Sequence, residues 1–419
     1  MNTMVVRQIS RLMIPAAFVA TLGACGGLLD VDFPGRIPSE QINDPSLAPV
    51  LVRSVIGDFE CAYSNYMSGS SVHSDEYETS NSNVPLANWG ERTIDADQDD
   101  YVVGACEGNF GMQRTLHTAR FQSEDIYNRL GNPDWTDAKV PGKAGLKMTV
   151  RAYGGYSYLL MGEGFCEVAF DGGPRQPNTA ALTIAETRLS EAITLGATAA
   201  VTPANTDILN MARVGLARVR LDLKNYAGAA AAAQAVPAGF SRNVDRGAES
   251  PRRWNKLWRL ADQQGAYTVA TAYRNMNDAR VLVADAGRGS FNAEVRLWRT
   301  TKYTGLNSPM RLASYIEAQL ILAESLARQG QFANAMTIIN DRRAALTPAL
   351  PALVAGNQAE AVAHIIEERR KELSFEGGHR LNDLLRTNTV WKVGANPFTN
   401  RAYGSTTCWP HPTKEINGA

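Results

Sequence analysis

The chain has 419 residues, of which 44% are hydrophobic and 8% aromatic, as in an ordinary globular protein. Lysine plus arginine and aspartate plus glutamate are equal at 42 each, so the formal net charge is zero. This balance excludes a global electrostatic field that would steer the protein to nucleic acid or to an anionic surface.

Residues 1–24 have the features of an export signal. Arg7 and Arg11 precede an apolar run, Leu12 to Ala20, that is too short to span a bilayer but has the length of a secretory core. It ends in Leu22-Gly23-Ala24-Cys25, which is similar to a lipobox, so we expect cleavage before Cys25 and acylation of its thiol. The alternative is an ordinary signal peptide beside an unrelated cysteine.

Four cysteines remain beyond Cys25, namely Cys61, Cys106, Cys166 and Cys408. An even number in an exported chain predicts two disulfides. Of the three pairings we prefer Cys61–Cys106 with Cys166–Cys408, because the first closes the shorter loop; four free thiols are the alternative. No CxxC pair occurs and the five histidines are scattered, so we expect no zinc site and no other metal.

Helical periodicity is the main pattern along the chain, and it is interrupted twice. It begins near Asp44, dissolves in a polar loop at 66–110, and resumes at about 111–130, 142–161 and 179–195. Residues 237–310 also lack a sustained helical period, and we interpret them as an insertion that packs on the helices. The sequence therefore predicts an all-α dominated fold with long irregular insertions.

Two segments, 211–235 and 318–342, share one pattern. Each predicts a helix, a tight turn, an aromatic residue and a small residue three positions later: Tyr226 with Ala229, and Phe332 with Ala335. Small residues let two antiparallel helices approach closely, as in the helical pairs of TPR proteins. Any helical hairpin is the alternative for one copy alone, but the agreement of two copies favours a TPR-like scaffold.

The C-terminal region carries a charged signature. Asn357 and Glu360 cap a helix that runs on to Leu373. The segment 366–386 resembles the late signature of the SusD/RagB family, with one extra glycine, Gly378, in the turn. The matching positions are Glu368-Arg369, Glu372-Leu373, Phe375-Glu376-Gly377, Arg380, Asp383-Leu384 and Arg386.

Three further segments agree with this resemblance. They are the lipobox, the stretch 151–170, and Trp409-Pro410-His411-Pro412 with Glu415 and Asn417. The resemblance implies one SusD-like domain over 25–419, anchored by lipid at the cell surface in the outer membrane. It also implies a SusC-like TonB-dependent transporter as partner and a glycan or oligopeptide as ligand. No catalytic residue, cofactor or nucleic-acid partner is expected.

The signature charges have two interpretations. Glu372 and Glu376 lie four residues apart on one helix face, like a pair of catalytic acids. The arginines around them would keep both carboxylates ionised, which does not suit a general acid. We therefore expect a structural ion-pair lattice formed by the signature residues Arg369, Glu372, Phe375, Glu376, Gly377, Arg380, Asp383 and Arg386.

The 66–110 loop offers candidate ligand contacts. Sugars are bound by aromatic faces and by amides, and Tyr77, Trp89, Tyr101, Asn81 and Asn83 supply both. The alternative is that these rings only pack the loop onto the helices. Other candidate contacts are Trp254, Trp258 and Trp298. Two other functions stay open: a surface glycoside hydrolase, for which Asp97 and Asp99 are candidate acids, and a TPR-type adaptor that binds only protein.

Overall fold

The computed structural model describes residues 41–80, 83–98, 100–108 and 111–413. The export signal, Cys25, Asn81 and Asp99 lie outside the described residues, as do Glu415 and Asn417. Residues 41–43 form a turn in a first unit, and the described residues from Pro45 to 413 form a second, compact unit. The description that follows concerns the described part of this second unit.

Helices dominate the architecture, as the sequence predicts. A 3-10 turn at Pro45–Leu47 leads into the first helix, and a π turn at Arg259–Gln263 follows the short α9. The thirteen helices of the described residues are α1 (Ala48–His73), α2 (Val84–Glu91), α3 (Asp100–Val103), α4 (Gln113–Leu130), α5 (Lys143–Gly164), α6 (Thr179–Gly196), α7 (Pro203–Asp222), α8 (Tyr226–Gln234), α9 (Lys256–Trp258), α10 (Tyr315–Arg328), α11 (Phe332–Ala344), α12 (Gln358–Glu372) and α13 (His379–Arg386).

The strands are short, and they form two-stranded antiparallel sheets. The pairs are β1 (Tyr77–Thr79) with β5 (Tyr267–Val269), β2 (Glu167–Val168) with β3 (Gln176–Pro177), β4 (Ser241–Val244) with β8 (Met310–Ser314), and β6 (Val283–Gly289) with β7 (Arg296–Thr300). The pair β1–β5 joins the segment after α1 to the insertion at 237–310, whereas β6 and β7 pair within that insertion. None of the described helices combines the length and hydropathy that crossing a membrane requires.

Both TPR-like hairpins are present. Helices α7 and α8 form the first and α10 and α11 the second, and α8 packs against α10. The Asn225 side chain caps α8 by accepting from the Gly228 N–H at 3.0 Å. Ala229 and Ala335 are fully buried, so the small residues lie at the helix contacts where the repeat pattern predicts them.

Helices α5 and α6 supply the preceding antiparallel pair, and glycines set their separation. A Cβ added at Gly155 would lie 2.6 Å from Leu189 Cγ, and one added at Gly162 would lie 2.5 Å from Leu182 Cδ2. Real side chains do not approach so closely, so these two glycines determine how near the helices come.

The loop predicted at 66–110 differs from the structure at its start. Helix α1 continues to His73, and Val84–Glu91 and Asp100–Val103 are helical as well. The polar residues Asn65, Ser68 and Ser70 are buried in the last turns of α1, where their small size permits close packing. A serine- and asparagine-rich sequence hides helical periodicity because these residues usually favour turns.

Two disulfides fix the irregular segments, in the preferred pairing. Cys61 on α1 bonds Cys106, and Cys166 after α5 bonds Cys408 near the C-terminus. Next to the second bond, the Cys166 N–H donates to the Trp409 carbonyl at 2.9 Å and the Trp409 N–H to the Gly164 carbonyl at 3.0 Å. The C-terminal segment is thereby attached to the end of α5.

Candidate ligand-binding surface

The signature charges form ion pairs within α12 and α13 and with other elements. Arg369 Nε lies 3.0 Å from Asp383 Oδ2, and Arg386 reaches both Asp383 and Glu324, each at 2.5 Å. Arg380 forms a bidentate pair with Asp75, the shorter contact being 2.6 Å. The lattice therefore links the two signature helices to each other, and links α13 to Asp75 after α1 and to Glu324 on α10.

The two glutamates that resemble a catalytic pair are each bound by a cation. Arg342 forms a bidentate pair with Glu372 at 2.6 and 3.1 Å, and Lys302 Nζ lies 3.1 Å from Glu376 Oε1. Both carboxylates are thus committed to ion pairs that stabilise the turn between α12 and α13. This geometry favours a structural role for Glu372 and Glu376.

Three buried carboxyl groups, those of Asp383, Glu317 and Glu76, differ in pKa according to their partners. Burial alone would raise the pKa of Asp383, but Arg369 and Arg386 outweigh it and lower the pKa to about 2. Burial raises the pKa of Glu317 to about 7, although Arg218 and Arg369 oppose the shift. Burial also raises the pKa of Glu76 to about 7, against the hydrogen bond from the Phe375 N–H.

The three aromatic residues proposed from the sequence as ligand contacts are buried. Tyr77 and Tyr101 have no exposed surface, and Trp89 is 1% exposed. The Tyr77 ring packs on Phe375 with centroids 5.3 Å apart, and Trp89 packs edge-on against Trp409 at 6.5 Å. Rings enclosed in this way present no face to a ligand, so the stacking role expected for them is incompatible with this structure.

Tyr77, Trp89 and Tyr101 are buried because they pack their part of the chain against other segments of the protein. The Tyr101 hydroxyl donates to the Pro410 carbonyl at 3.1 Å, which joins this segment to the C-terminal one. Asn83 caps α2, its side chain accepting from the Leu86 N–H at 3.4 Å. Asp97, a candidate acid of the hydrolase alternative, is exposed.

Partly exposed rings lie elsewhere, around one arginine of the insertion. The guanidinium carbon of Arg274 lies 5.5 Å from the ring centroid of Trp298 on β7 and 5.6 Å from that of Phe398. All three side chains are partly exposed. We call Trp298, Arg274 and Phe398 the ring–arginine cluster; the sequence pointed to Trp298 alone among them.

Hydrogen bonds hold the cluster in place. The Thr268 hydroxyl accepts from the Trp298 N–H at 2.9 Å and donates to the Arg296 carbonyl at 3.0 Å, which fixes β7 against β5. The Asn396 side chain donates to the Thr79 carbonyl at 3.2 Å and accepts from the Phe398 N–H at 2.9 Å. Three segments distant in sequence therefore meet at one rigid surface.

A second ring with adjacent cations belongs to the same insertion. Lys256 Nζ lies 5.4 Å and the Arg259 guanidinium carbon 5.5 Å from the centroid of Trp254, which is partly exposed. The Trp254 Nε1–H donates to the Ala248 carbonyl at 3.2 Å, which orients the ring. Aromatic rings beside cations can stack on a saccharide and donate to its oxygens.

Comparison with known proteins agrees with the fold and the signature. Residues 290–411 match the model of the SusD family. A SusD superfamily protein from Bacteroides vulgatus ATCC 8482 superposes with a TM-score of 0.68 and 16% identity, over 89% of this chain and 96% of that protein. No curated protein matches the chain significantly.

Two other solved structures are described by what they bind. A SusD-like carbohydrate binding protein from Bacteroides fragilis NCTC 9343 has a TM-score of 0.66 and 13% identity, over 90% of this chain and 98% of that protein. A laminarin binding SusD-like protein has a TM-score of 0.61 and 17% identity, over 89% and 97%. At these identities the likeness establishes the fold.

Proposed function

We propose, from the premise that this chain is a SusD-like protein, that it binds a glycan at the cell surface and delivers it for uptake without chemically changing it. Lipid attached to Cys25 would anchor it in the outer membrane, and a SusC-like TonB-dependent transporter would be its partner. The fold supports the family assignment, and the glycan is inferred from the ring–arginine cluster together with the carbohydrate-binding neighbours.

The ring–arginine cluster is the observation that carries the glycan proposal. Pyranose rings expose C–H faces that pack on aromatic side chains, and their hydroxyls accept from guanidinium groups. Trp298 and Phe398 supply two partly exposed rings beside one donor, Arg274. Because hydrogen bonds through Thr268 and Asn396 hold the backbone around both rings, the cluster is preorganised and little ordering cost opposes binding.

A binding role without turnover is supported by the state of the signature acids. Glu372 and Glu376 are held in ion pairs by Arg342 and Lys302 respectively, which supports a structural role for both carboxylates. Incubating the purified protein with the oligosaccharide that it binds and measuring new reducing ends tests this. Release of reducing ends at an enzymatic rate would favour the surface hydrolase instead.

Binding itself is tested by screening the purified protein on a glycan array and titrating the hits by calorimetry. Trp298→Ala and Phe398→Ala should each weaken binding by roughly two- to tenfold, since one stacked ring contributes about 0.5–1.5 kcal/mol. Phe121→Ala is the matched control, because Phe121 is 54% exposed on α4 and belongs to no part of the cluster. Equal losses in all three variants, or no glycan bound by the wild type, would contradict the proposal.

Oligopeptides in the same titrations test the other cargo class. Binding of peptides but not of saccharides would show that the ligand of this protein is a peptide and not a glycan.

The uptake role is tested on native membranes. Gentle detergent extraction followed by a pull-down on this protein should recover a large TonB-dependent transporter in equal amount. Recovery of the protein alone, or with soluble partners only, would contradict the transport proposal and favour the adaptor.

A further inference from the structure

Arg274 differs from the arginines that form the ion pairs around the signature helices. Arg280, Arg380 and Arg386 each form an ion pair of 2.7 Å or less, with Asp278, Asp75 and Glu324 respectively. Arg274 instead donates from Nε to the Val269 carbonyl at 2.7 Å and from Nη2 to the Thr268 hydroxyl at 3.5 Å. Within the described residues it has no ion pair.

The nearest acids are already bound by other groups. Glu78 accepts from the Tyr403 hydroxyl at 2.8 Å and lies 3.8 Å from Lys392 Nζ. Asp285 forms an ion pair with Arg296 at 2.8 Å. Burial lowers the pKa of Arg274, and the two acids offset this only in part. Within the described residues, the cluster therefore presents a cation that forms no ion pair of its own.

The ring of Trp254 also lies beside cations that lack an acidic partner within the described residues, namely Lys256 and Arg259. Lys256 is 1% exposed and its Nζ donates to the Gly108 carbonyl at 2.6 Å. Burial, followed by repulsion from Arg259, lowers the pKa of Lys256 to about 8. The Arg259 guanidinium finds an amide oxygen of Gln264 at 3.1 Å, in the orientation of that amide that satisfies both groups. Neither cation forms an ion pair in the described part of the chain.

A shortage of acidic residues does not explain why Arg274 and the two cations beside Trp254 form no ion pair in the described part of the chain. The chain has as many acidic as basic residues, and most of its buried arginines form ion pairs; Arg92, which donates to the Trp391 and Thr406 carbonyls, is an exception. Leaving a half-buried cation without a carboxylate costs stability, because its desolvation is not compensated. A charge-assisted bond to an acidic group on the ligand would supply that compensation.

We infer that the glycan of this protein is acidic, with carboxylate or sulfate groups that bind Arg274 in the cluster and Arg259 beside Trp254. The inference rests on the proposed function and adds the substrate class. In the bound state the acid group accepts from the Nη groups of Arg274 while sugar rings pack on Trp298 and Phe398. The overall charge of zero means that this selectivity comes from local arrangement and not from a general field.

Calorimetry with matched saccharides tests the inference. The probes are an oligouronate and its carboxyl-reduced neutral counterpart, and a sulfated oligosaccharide with its desulfated counterpart. For the full chain we expect at least tenfold tighter binding of one acidic member than of its neutral partner, with an advantage that shrinks as salt is raised. The two pairs distinguish a carboxylate from a sulfate.

Substitution then locates the selectivity. Arg274→Gln should weaken binding of the acidic saccharide at least tenfold and binding of its neutral counterpart by clearly less, because the acidic ligand loses a charge-assisted bond and the neutral ligand loses a neutral one. Arg274→Lys should retain part of the acidic preference. Arg175→Gln is the control, because Arg175 is an exposed arginine paired with Glu167 at 3.1 Å. Thermal unfolding of each variant checks that the fold is retained.

The outcomes separate the inference from the proposed function. Neutral saccharides bound as tightly as acidic ones would overturn the inference and leave the glycan-binding function standing. Absence of binding to any saccharide would overturn both. Equal loss of acidic and neutral binding in a folded Arg274→Gln would show that Arg274 does not discriminate charge, and would also overturn the inference. The salt dependence of the wild type decides the question even where a variant fails to fold.

Discussion

Arg369 on α12 and Asp383 on α13 form an ion pair with both side chains 1% exposed, Nε lying 3.0 Å from Oδ2. The pair closes the turn that contains Phe375 and Gly377, both at positive φ. Arg386 also reaches Asp383, so a single carboxylate connects two arginines. The signature of this region is therefore a buried electrostatic joint between its last two helices.

Removing one member of this joint should be costly. We expect Arg369→Ala to lower the free energy of unfolding by about 3–5 kcal/mol, because Asp383 would remain buried with one cation fewer. Denaturant unfolding measures the change. Arg253→Ala is the control: its pair with Glu249 is exposed on both sides and should contribute less than about 1 kcal/mol. Similar losses in the two variants would contradict the buried-joint account.

The buried carboxyl of Glu76 predicts a specific pH dependence. Its pKa is about 7 in the folded protein against an ordinary value of 4.5, because burial disfavours the charged form. The folded state therefore binds more protons between these values, and the free energy of unfolding falls as pH rises from about 4.5 to 7. Glu76→Gln keeps an oxygen for the Phe375 N–H and cannot ionise.

The free energy of unfolding of Glu76→Gln, relative to that of the wild type, should therefore increase as pH rises. We expect similar stability near pH 4.5 and an advantage for Glu76→Gln on the order of 3 kcal/mol at pH 8. Denaturant curves of both proteins across this range measure the difference, and other titrating groups cancel because both proteins carry them. A difference that does not change with pH would exclude this role for Glu76.

Substitution of glycine by alanine should have opposite effects on stability at two positions, 162 and 57. Gly162→Ala should destabilise the protein by about 1–3 kcal/mol, because the new Cβ would lie 2.5 Å from Leu182 Cδ2 across the α5–α6 contact. Gly57→Ala should stabilise it by up to about 1 kcal/mol, since nothing lies within 4 Å and alanine favours the helix. Thermal unfolding of the two variants tests the packing account, which would be wrong if Gly162→Ala were stabilising.

The two disulfides should differ in their contribution. Cys166–Cys408 closes a sequence separation of 242 residues and Cys61–Cys106 one of 45. In the chain-entropy model, the serine pair at 166 and 408 should destabilise the protein by about 1.5 kcal/mol more than the serine pair at 61 and 106. Chemical denaturation of the two double variants measures this order. The reverse order would show that native-state contacts outweigh loop closure.

The sequence by itself determined the parts of this protein that depend on local pattern. The hairpins around Tyr226 and Phe332 follow from helical period and small-residue spacing, which act over a few residues. The resemblance at 366–386 predicted the match of residues 290–411 to the SusD family model because the charged positions recur at fixed intervals. The preferred disulfide pairing followed from loop length.

Only the tertiary structure decided which aromatic residues face solvent. Tyr77, Trp89 and Tyr101 stand among polar residues in the sequence, yet they are buried, because burial depends on what packs from elsewhere in the chain. Arg274, Trp298 and Phe398 meet through β-pairing and loop contacts between residues far apart in sequence, so no local pattern indicates the cluster. That Arg274 lacks a carboxylate partner is likewise a property of the folded neighbourhood, in which Glu78 and Asp285 are bound by other groups.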